Sequence, residues 1–237
     1  DYLSNELVPG EPPKGVFDFN DEWVKRGVCV FENNLGRSKF VGCRNHRMVL
    51  QMHMLFGDIE TDLDGFALQS QCAQAEGMKF LVEHCRAAKF ERKTGMTWWN
   101  MRDGWPVISD AVVDYYGRRK LAYEYIKRAQ QDVLVMVDEN GDVLAVNDRL
   151  RPASGHATLT DAETGRVLFD GDFACGANAV AKIGAVALSG QGVAKIRYTV
   201  AGDAEAYASH YLYGGPTQKY VGEKKIRFAD YRRWMGL

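Results

Sequence analysis

The apolar residues of this chain change their period at Asp132, and that change limits the possible folds more than any other feature. Residues three and four apart share one face of a helix, whereas every second residue shares one face of a strand, so a segment patterned for one cannot serve as the other. Before Asp132 the spacing is helical. Met48, Val49, Met52, Leu55 and Phe56 predict a helix over 45–56, with Gly57 as its C-cap. Thr61 or Asp62 can cap a longer helix to about Ala88, striped by Phe66, Ala73, Ala75, Met78, Leu81, Val82 and Cys85, with Gly77 as its weak point. Leu121, Ala122, Tyr125, Ile126 and Ala129 mark a third helix between Arg118 and Gln131. Between these helices the aromatic run Gly95 to Met101 predicts a short buried strand over 94–101, which Arg102-Asp103-Gly104-Trp105-Pro106 breaks into a loop.

After Asp132 the apolar residues alternate. Val133–Val137, Val143–Val146, His156–Thr160, Val167–Phe169, Lys195–Val200 and Ala208–Tyr213 read as strands, separated by turn-forming groups such as Asn140-Gly141 and Ser189-Gly190. Strands at a spacing of about ten residues predict an immunoglobulin-like sandwich of about seven strands. The first 43 residues are irregular and rich in Pro and Gly around Val8–Gly15, with room for one short helix near Trp23, and the basic, aromatic tail 228–237 is left without an assignment.

Composition removes several function classes. With 30 Lys+Arg against 31 Asp+Glu the net charge is −1, which gives no support to binding of nucleic acid or a membrane surface. No apolar run is long enough to span a bilayer. The five cysteines are odd in number and lie mostly in apolar stretches, as expected of reduced, buried thiols. The N-terminus lacks both an initiator Met and the layout of a signal peptide, as in a chain cut from something longer or already processed.

Chemistry concentrates between Trp98 and Asp110, where three Trp and two Asp cluster. Aromatic faces stack on the C–H faces of sugar rings and a neighbouring carboxylate takes their hydroxyls, so this composition suits a carbohydrate site; a packed core of Trp is the competing reading. Elsewhere the patterns are bland. His46 and His53 are seven residues apart, about 10.5 Å along a helix, and Cys72 with Glu76 lacks a third ligand at suitable spacing, so neither metal nor cofactor is expected. Neither a Ser-His-Asp layout, nor a Gly-rich phosphate loop, nor CxxC is present. Glu32, Glu76 and Glu83 read as loop or helix-surface charges, and Arg118-Arg119-Lys120 as a solvated face.

Several separated motifs agree on one resemblance. Gln71-Cys72-Ala73-Gln74-Ala75-Glu76 with Glu83-His84, then Thr94–Pro106, then Asp114–Ala122, resemble glycoside hydrolase family 2, in its β-mannosidase-like and exo-glucosaminidase-like branch. Val146–Leu150 and Ser209–Tyr213 are similar to the sandwich that follows the barrel there. The resemblance implies an α/β plus all-β chain: residues 1–131 as the last helix-strand-helix unit of a (β/α)8 barrel, and 132–237 as an immunoglobulin-like sandwich. It implies a retaining exo-β-glycosidase acting on terminal β-linked sugars, with Trp99, Asp103 and Trp105 on the floor or rim of the sugar pocket and Arg102 where β-mannosidases carry Asn. A retaining enzyme needs two carboxyls about 5–5.5 Å apart. In the family these Glu residues lie upstream of the matched region, within an Asn-Glu pair and a Ser-Glu-x-Gly-like motif. This chain has no Ser-Glu-x-Gly, and its Asn5-Glu6 pair has no barrel strand before it. No catalytic residue is therefore assigned, and the chain alone is expected to be inactive. The partners implied are a β-glycoside and the rest of the barrel, as another chain or an upstream segment. A non-catalytic carbohydrate-binding or subunit-contact module, or one part of a split glycosidase, are the alternatives.

Overall fold

The structure, a computed structural model, describes residues 44–215 and 225–237. The helix expected near Trp23, together with Cys29 and Cys43, lies outside the described residues. Two compact units are present: one takes residues 44–77, 98–124 and 225–228, the other 78–97, 125–215 and 229–237.

In the first unit α1 (Arg44–Leu55) and the N-terminal part of α2 (Leu63–Ala87) form where the helical period predicts them. Asp62 is the cap of α2: its carboxylate accepts the Gly65 amide at 2.9 Å and its carbonyl accepts that of Phe66 at 2.9 Å, which satisfies donors a helix start leaves orphaned. Gly57 does not cap α1. Its amide instead donates to the Ile226 carbonyl at 2.9 Å, because Phe56 and Ile226 form a parallel bridge that draws the chain out of the helix. Met52 and Phe66 form a buried cluster with Met48, Ile59, Ala73 and Ile108, and Phe56 meets Phe228 edge to face at 4.9 Å.

In the second unit seven strands pair antiparallel in two sheets. β1 (Val133–Val137), β2 (Asp142–Asn147) and β5 (Ala179–Ala185) form one in the order β1-β2-β5. β3 (Ala153–Asp161), β4 (Val167–Cys175), β6 (Gly192–Val200) and β7 (Tyr207–Tyr213) form the other in the order β4-β3-β6-β7. Val133, Val135, Val137, Ala157, Leu159, Phe173, Ile196 and Tyr198 share one core, so the two sheets make a sandwich. All five residues of β1 are buried, although alternation predicts a half-solvated strand. Its other face, Leu134 and Met136, packs with Val146 and with Ala87 at the end of α2. The Tyr198 hydroxyl donates to the Val133 carbonyl at 2.9 Å, and burial raises its pKa well above the ordinary tyrosine value. The tail forms α4 (Phe228–Met235), whose Trp234 indole donates to Glu163 at 2.6 Å. α3 (Leu121–Ala129) contributes Tyr125, which shares a 3.1 Å hydrogen bond with Tyr231. No helix among the described residues is long and apolar enough to cross a membrane.

The expected strand over 94–101 is not formed. A parallel strand needs a neighbour on each edge. Among the described residues 100–103 find only 112 and 113: Val112 donates to Asn100 at 3.1 Å, Val113 to Met101 at 2.9 Å and Asp103 to Val113 at 3.1 Å. That amounts to one parallel bridge, Arg102 with Val113, and the rest is loop.

Candidate functional site

The loop that follows Trp98 lies in the first unit and is built on buried polar groups. Asp103 sits at its centre with a side chain only 2% exposed. Its carboxylate accepts the Ser109 hydroxyl, and Ser109 in turn accepts the Ala111 amide at 3.0 Å. Lys120 supplies the compensating charge: its ammonium donates to the Ser109 carbonyl at 3.1 Å and lies 3.6 Å from the Asp103 carboxylate. Burial lowers the Lys120 pKa, with Asp103, Asp114 and Asp110 opposing that shift. Gln74 on α2 donates to the Asp110 carbonyl at 2.6 Å, and Gln71 accepts the Leu121 amide at 3.0 Å. Both glutamines thus fix the chain on either side of the loop.

A second buried carboxylate anchors the next turn. Asp114 accepts the Arg118 amide at 2.8 Å and its guanidinium at 2.7 Å. Burial raises the Asp114 carboxyl, but these bonds outweigh it and hold the group below its ordinary value. Gly117 closes the turn at φ +84°, a left-handed conformation that side chains resist. The turn presents Tyr115 and Tyr116, with the Arg118 guanidinium over the Tyr116 ring at 5.3 Å.

Above this foundation the aromatic residues are open to solvent. Trp99 is 72% exposed and Trp105 45%, with Met101, Tyr115 and Tyr116 exposed beside them in the same unit. The Trp99–Asn100 peptide bond is cis. Arg102 joins the two loops, donating to the Tyr115 carbonyl at 2.9 Å. Of the three residues singled out from sequence, Trp99 and Trp105 are therefore surface groups, while the Asp103 carboxylate is enclosed.

Other candidates fare differently. Glu76 and Glu83 are buried rather than surface charges. Glu83 accepts Lys79 at 2.6 Å one helical turn away, and this pairing lets both charges leave water together. Lys120 likewise departs from the solvated face expected of Arg118-Arg119-Lys120, because Asp103 and Ser109 draw it inward while Arg118 and Arg119 remain exposed. His53 is exposed, and Asn5-Glu6 and Glu32 lie outside the described residues. Among the described residues no group of three His, Cys, Asp or Glu is placed to hold a metal. Cys72, Cys85 and Cys175 are free thiols.

No protein-family model matches the chain. β-Mannosidase B of Aspergillus niger is 37% identical to it over 79 residues, which are 32% of this chain and 9% of that enzyme. β-Mannosidase B of Aspergillus oryzae is 34% identical over the same length and shares. The β-D-mannosidase of Dictyoglomus thermophilum superposes with a TM-score of 0.61 at 24% identity, over 77% of this chain and 23% of that one. These likenesses point to the C-terminal region of glycoside hydrolase family 2. An exo-chitosanase of Amycolatopsis orientalis shares the fold, with a TM-score of 0.60 at 19% identity over 74% of this chain and 22% of that one. The chain thus spans under a quarter of the length of these family 2 structures, 23% and 22%.

Sequence reasoning found the aromatic residues but missed Ser109, Lys120, Gln71 and Gln74 as supports. Lys120 carried a signal: a cation immediately before a helix start is set against the helix dipole and needs another reason to be there.

Proposed function

We propose that this chain is the C-terminal part of a retaining exo-β-glycosidase of the β-mannosidase-like branch, with Trp99 and Trp105 forming part of the floor of its sugar site. The single observation that carries the reading is the exposure of both indoles on a loop that is held from within by Asp103, Ser109 and Lys120. A core cluster would bury its Trp, whereas a stacking platform presents them. Asp103 acts from beneath, fixing the loop through Ser109 and Lys120 rather than reaching the sugar. The first unit is read as the end of a (β/α)8 barrel, in which the loop would follow a strand whose neighbours come from elsewhere. The sandwich is read as immunoglobulin-like, and its strand order, β1-β2-β5 facing β4-β3-β6-β7, supports that. The nucleophile and the acid, about 5–5.5 Å apart in a retaining enzyme, are assigned to the remainder of the protein, because this sequence holds no Ser-Glu-x-Gly.

Assay of the chain alone on aryl β-mannosides, β-galactosides and β-glucosaminides tests this division of labour. Hydrolysis no faster than a heat-killed control is expected. Turnover that disappears on Glu6→Gln or Glu32→Gln would place the chemistry inside this chain and overturn the reading.

A further inference from the structure

We propose that a cavity at the C-terminal end of α2 binds a small phosphorylated molecule, with Lys93 reading the phosphate and Phe90 the organic body that carries it. The cavity lies wholly within the second unit and involves none of the residues of the aromatic loop. It measures about 500 Å³, inside the range of roughly 300–1,000 Å³ usual for small-ligand sites. Arg86, Lys89 and Lys93 line it against a single carboxylate, Asp148. That carboxylate is already shared between two of them, Arg86 at 2.9 Å and Lys89. Lys89 also donates to the Asn147 carbonyl at 3.0 Å and to the Asn178 side chain at 2.9 Å, which uses the last of its three donors. Arg86 is tied to the Ala129 and Gln131 carbonyls, yet its Nε is enclosed with no acceptor. Lys93 is different: it is exposed, and its ammonium makes neither hydrogen bond nor ion pair among the described residues.

Charge decides what such a cavity can hold. Three cations and one carboxylate leave two positive charges in excess, and the C-terminal end of α2 offsets only about half a charge. A carboxylate or a sulfate ester would leave part of that excess unanswered, whereas a phosphate monoester carries about −1.5 to −2 at pH 7. The apolar side of the cavity is equally specific. Phe90 stands at φ +61°, a conformation that bulky side chains resist, and its turn enforces it: the Phe90 amide donates to the Lys93 carbonyl at 2.8 Å and the Lys93 amide to that of Ala88 at 3.1 Å. The ring is left 63% exposed at the cavity wall, where Val82 and Met96 extend the apolar surface. One turn thus sets both the free ammonium and the free ring.

The test titrates phenyl phosphate, phenyl sulfate and inorganic phosphate into the whole chain by calorimetry at low salt. Alkylation of Cys85, which lines the cavity, is followed alongside by peptide mass spectrometry. Phenyl phosphate should bind, should protect Cys85, and should exceed each of the other two about tenfold, since the sulfate lacks a charge and the free ion lacks a ring. Lys93→Gln should remove the preference over the sulfate. Phe90→Gly, which suits the left-handed backbone, should remove the preference over inorganic phosphate. Both side chains are exposed, and melts of the two variants check that the fold is intact. Absence of binding, binding that leaves Cys85 unprotected, or an affinity unchanged in Lys93→Gln overturns the proposal. Inorganic phosphate bound as tightly as phenyl phosphate would make this a site for the free ion and overturn the organic ligand.

Discussion

Lys120 holds more of the candidate site in place than any aromatic residue does. Its ammonium meets the Ser109 carbonyl and the Asp103 carboxylate, and both partners belong to the segment that carries Trp105. Lys120→Met should leave Asp103 as a buried charge without compensation, at a cost of about 3 kcal/mol in urea-determined stability. Lys120→Met/Asp103→Leu, which removes both charges, should recover most of it; a double variant no more stable than Lys120→Met contradicts the pairing. Gly77 provides a prediction of opposite sign. It lies exposed within α2, and nothing lies within 4 Å of the position a Cβ would take. Gly77→Ala should therefore stabilise the protein by roughly 1 kcal/mol, measured in the same way. At this scale the sequence exposed the aromatic residues of the loop, since their composition is unusual, and concealed their supports. Ser109 acts through its bonds to Asp103, Ala111 and Lys120 and Gln74 through one to Asp110, across gaps in sequence that no periodicity encodes.

Among the elements, the sandwich contains a carboxylate clamp whose strength depends on pH. Arg149, after β2, binds Asp203 through two bonds of 3.0 and 2.6 Å, and the Tyr207 hydroxyl donates to the same carboxylate at 2.7 Å. The Arg149 and Tyr207 hydrogen bonds hold the Asp203 carboxyl below its ordinary value. A carboxyl whose folded pKa is depressed contributes stability above its unfolded value, near 3.9, and loses it as pH falls through the lower folded value. Asp203→Asn should therefore be less stable than the wild type at pH 7, with the gap closing in acid below about pH 4. A gap of equal size at both pH values would show that the clamp is not electrostatic. Element by element, legibility followed side-chain bulk. α1, α2, α3 and most strands were readable from their periods, whereas β5 was missed because Ala179-Val180-Ala181-Lys182-Ile183-Gly184-Ala185 is too small and even to alternate visibly. The strand expected over 94–101 failed for the opposite reason. Its residues suit a strand, but a ladder is made by partners, and among the described residues only Val112 and Val113 offer themselves.

For the molecule as a whole, the boundary expected at Asp132 cuts through the second unit. Ala87 packs on Leu134, Met136 and Val146, and Arg86 donates to the Ala129 and Gln131 carbonyls and pairs with Asp148 at 2.9 Å. A fragment of residues 132–237 should unfold cooperatively, since its seven strands enclose a core of their own, but at a lower temperature than the sandwich within the whole chain. Equal midpoints in calorimetry would show that α2 contributes nothing to it. Residues 1–131 alone should aggregate, because the cut takes Leu134, Met136 and Val146 off Ala87 and leaves the exposed Trp99 loop without the strand neighbours a barrel would give it. A monomeric, cooperatively melting 1–131 fragment would contradict the barrel reading.

The central claim is that the exposed indoles bind sugar rather than support the fold. Titration of methyl β-D-mannopyranoside into the whole chain and into Trp99→Ala and Trp105→Ala, with thermal melts of each, tests it most directly. The account predicts that either substitution weakens binding by on the order of 1–3 kcal/mol and leaves the melting temperature close to that of the wild type. Unchanged affinity together with a collapse in stability would contradict it.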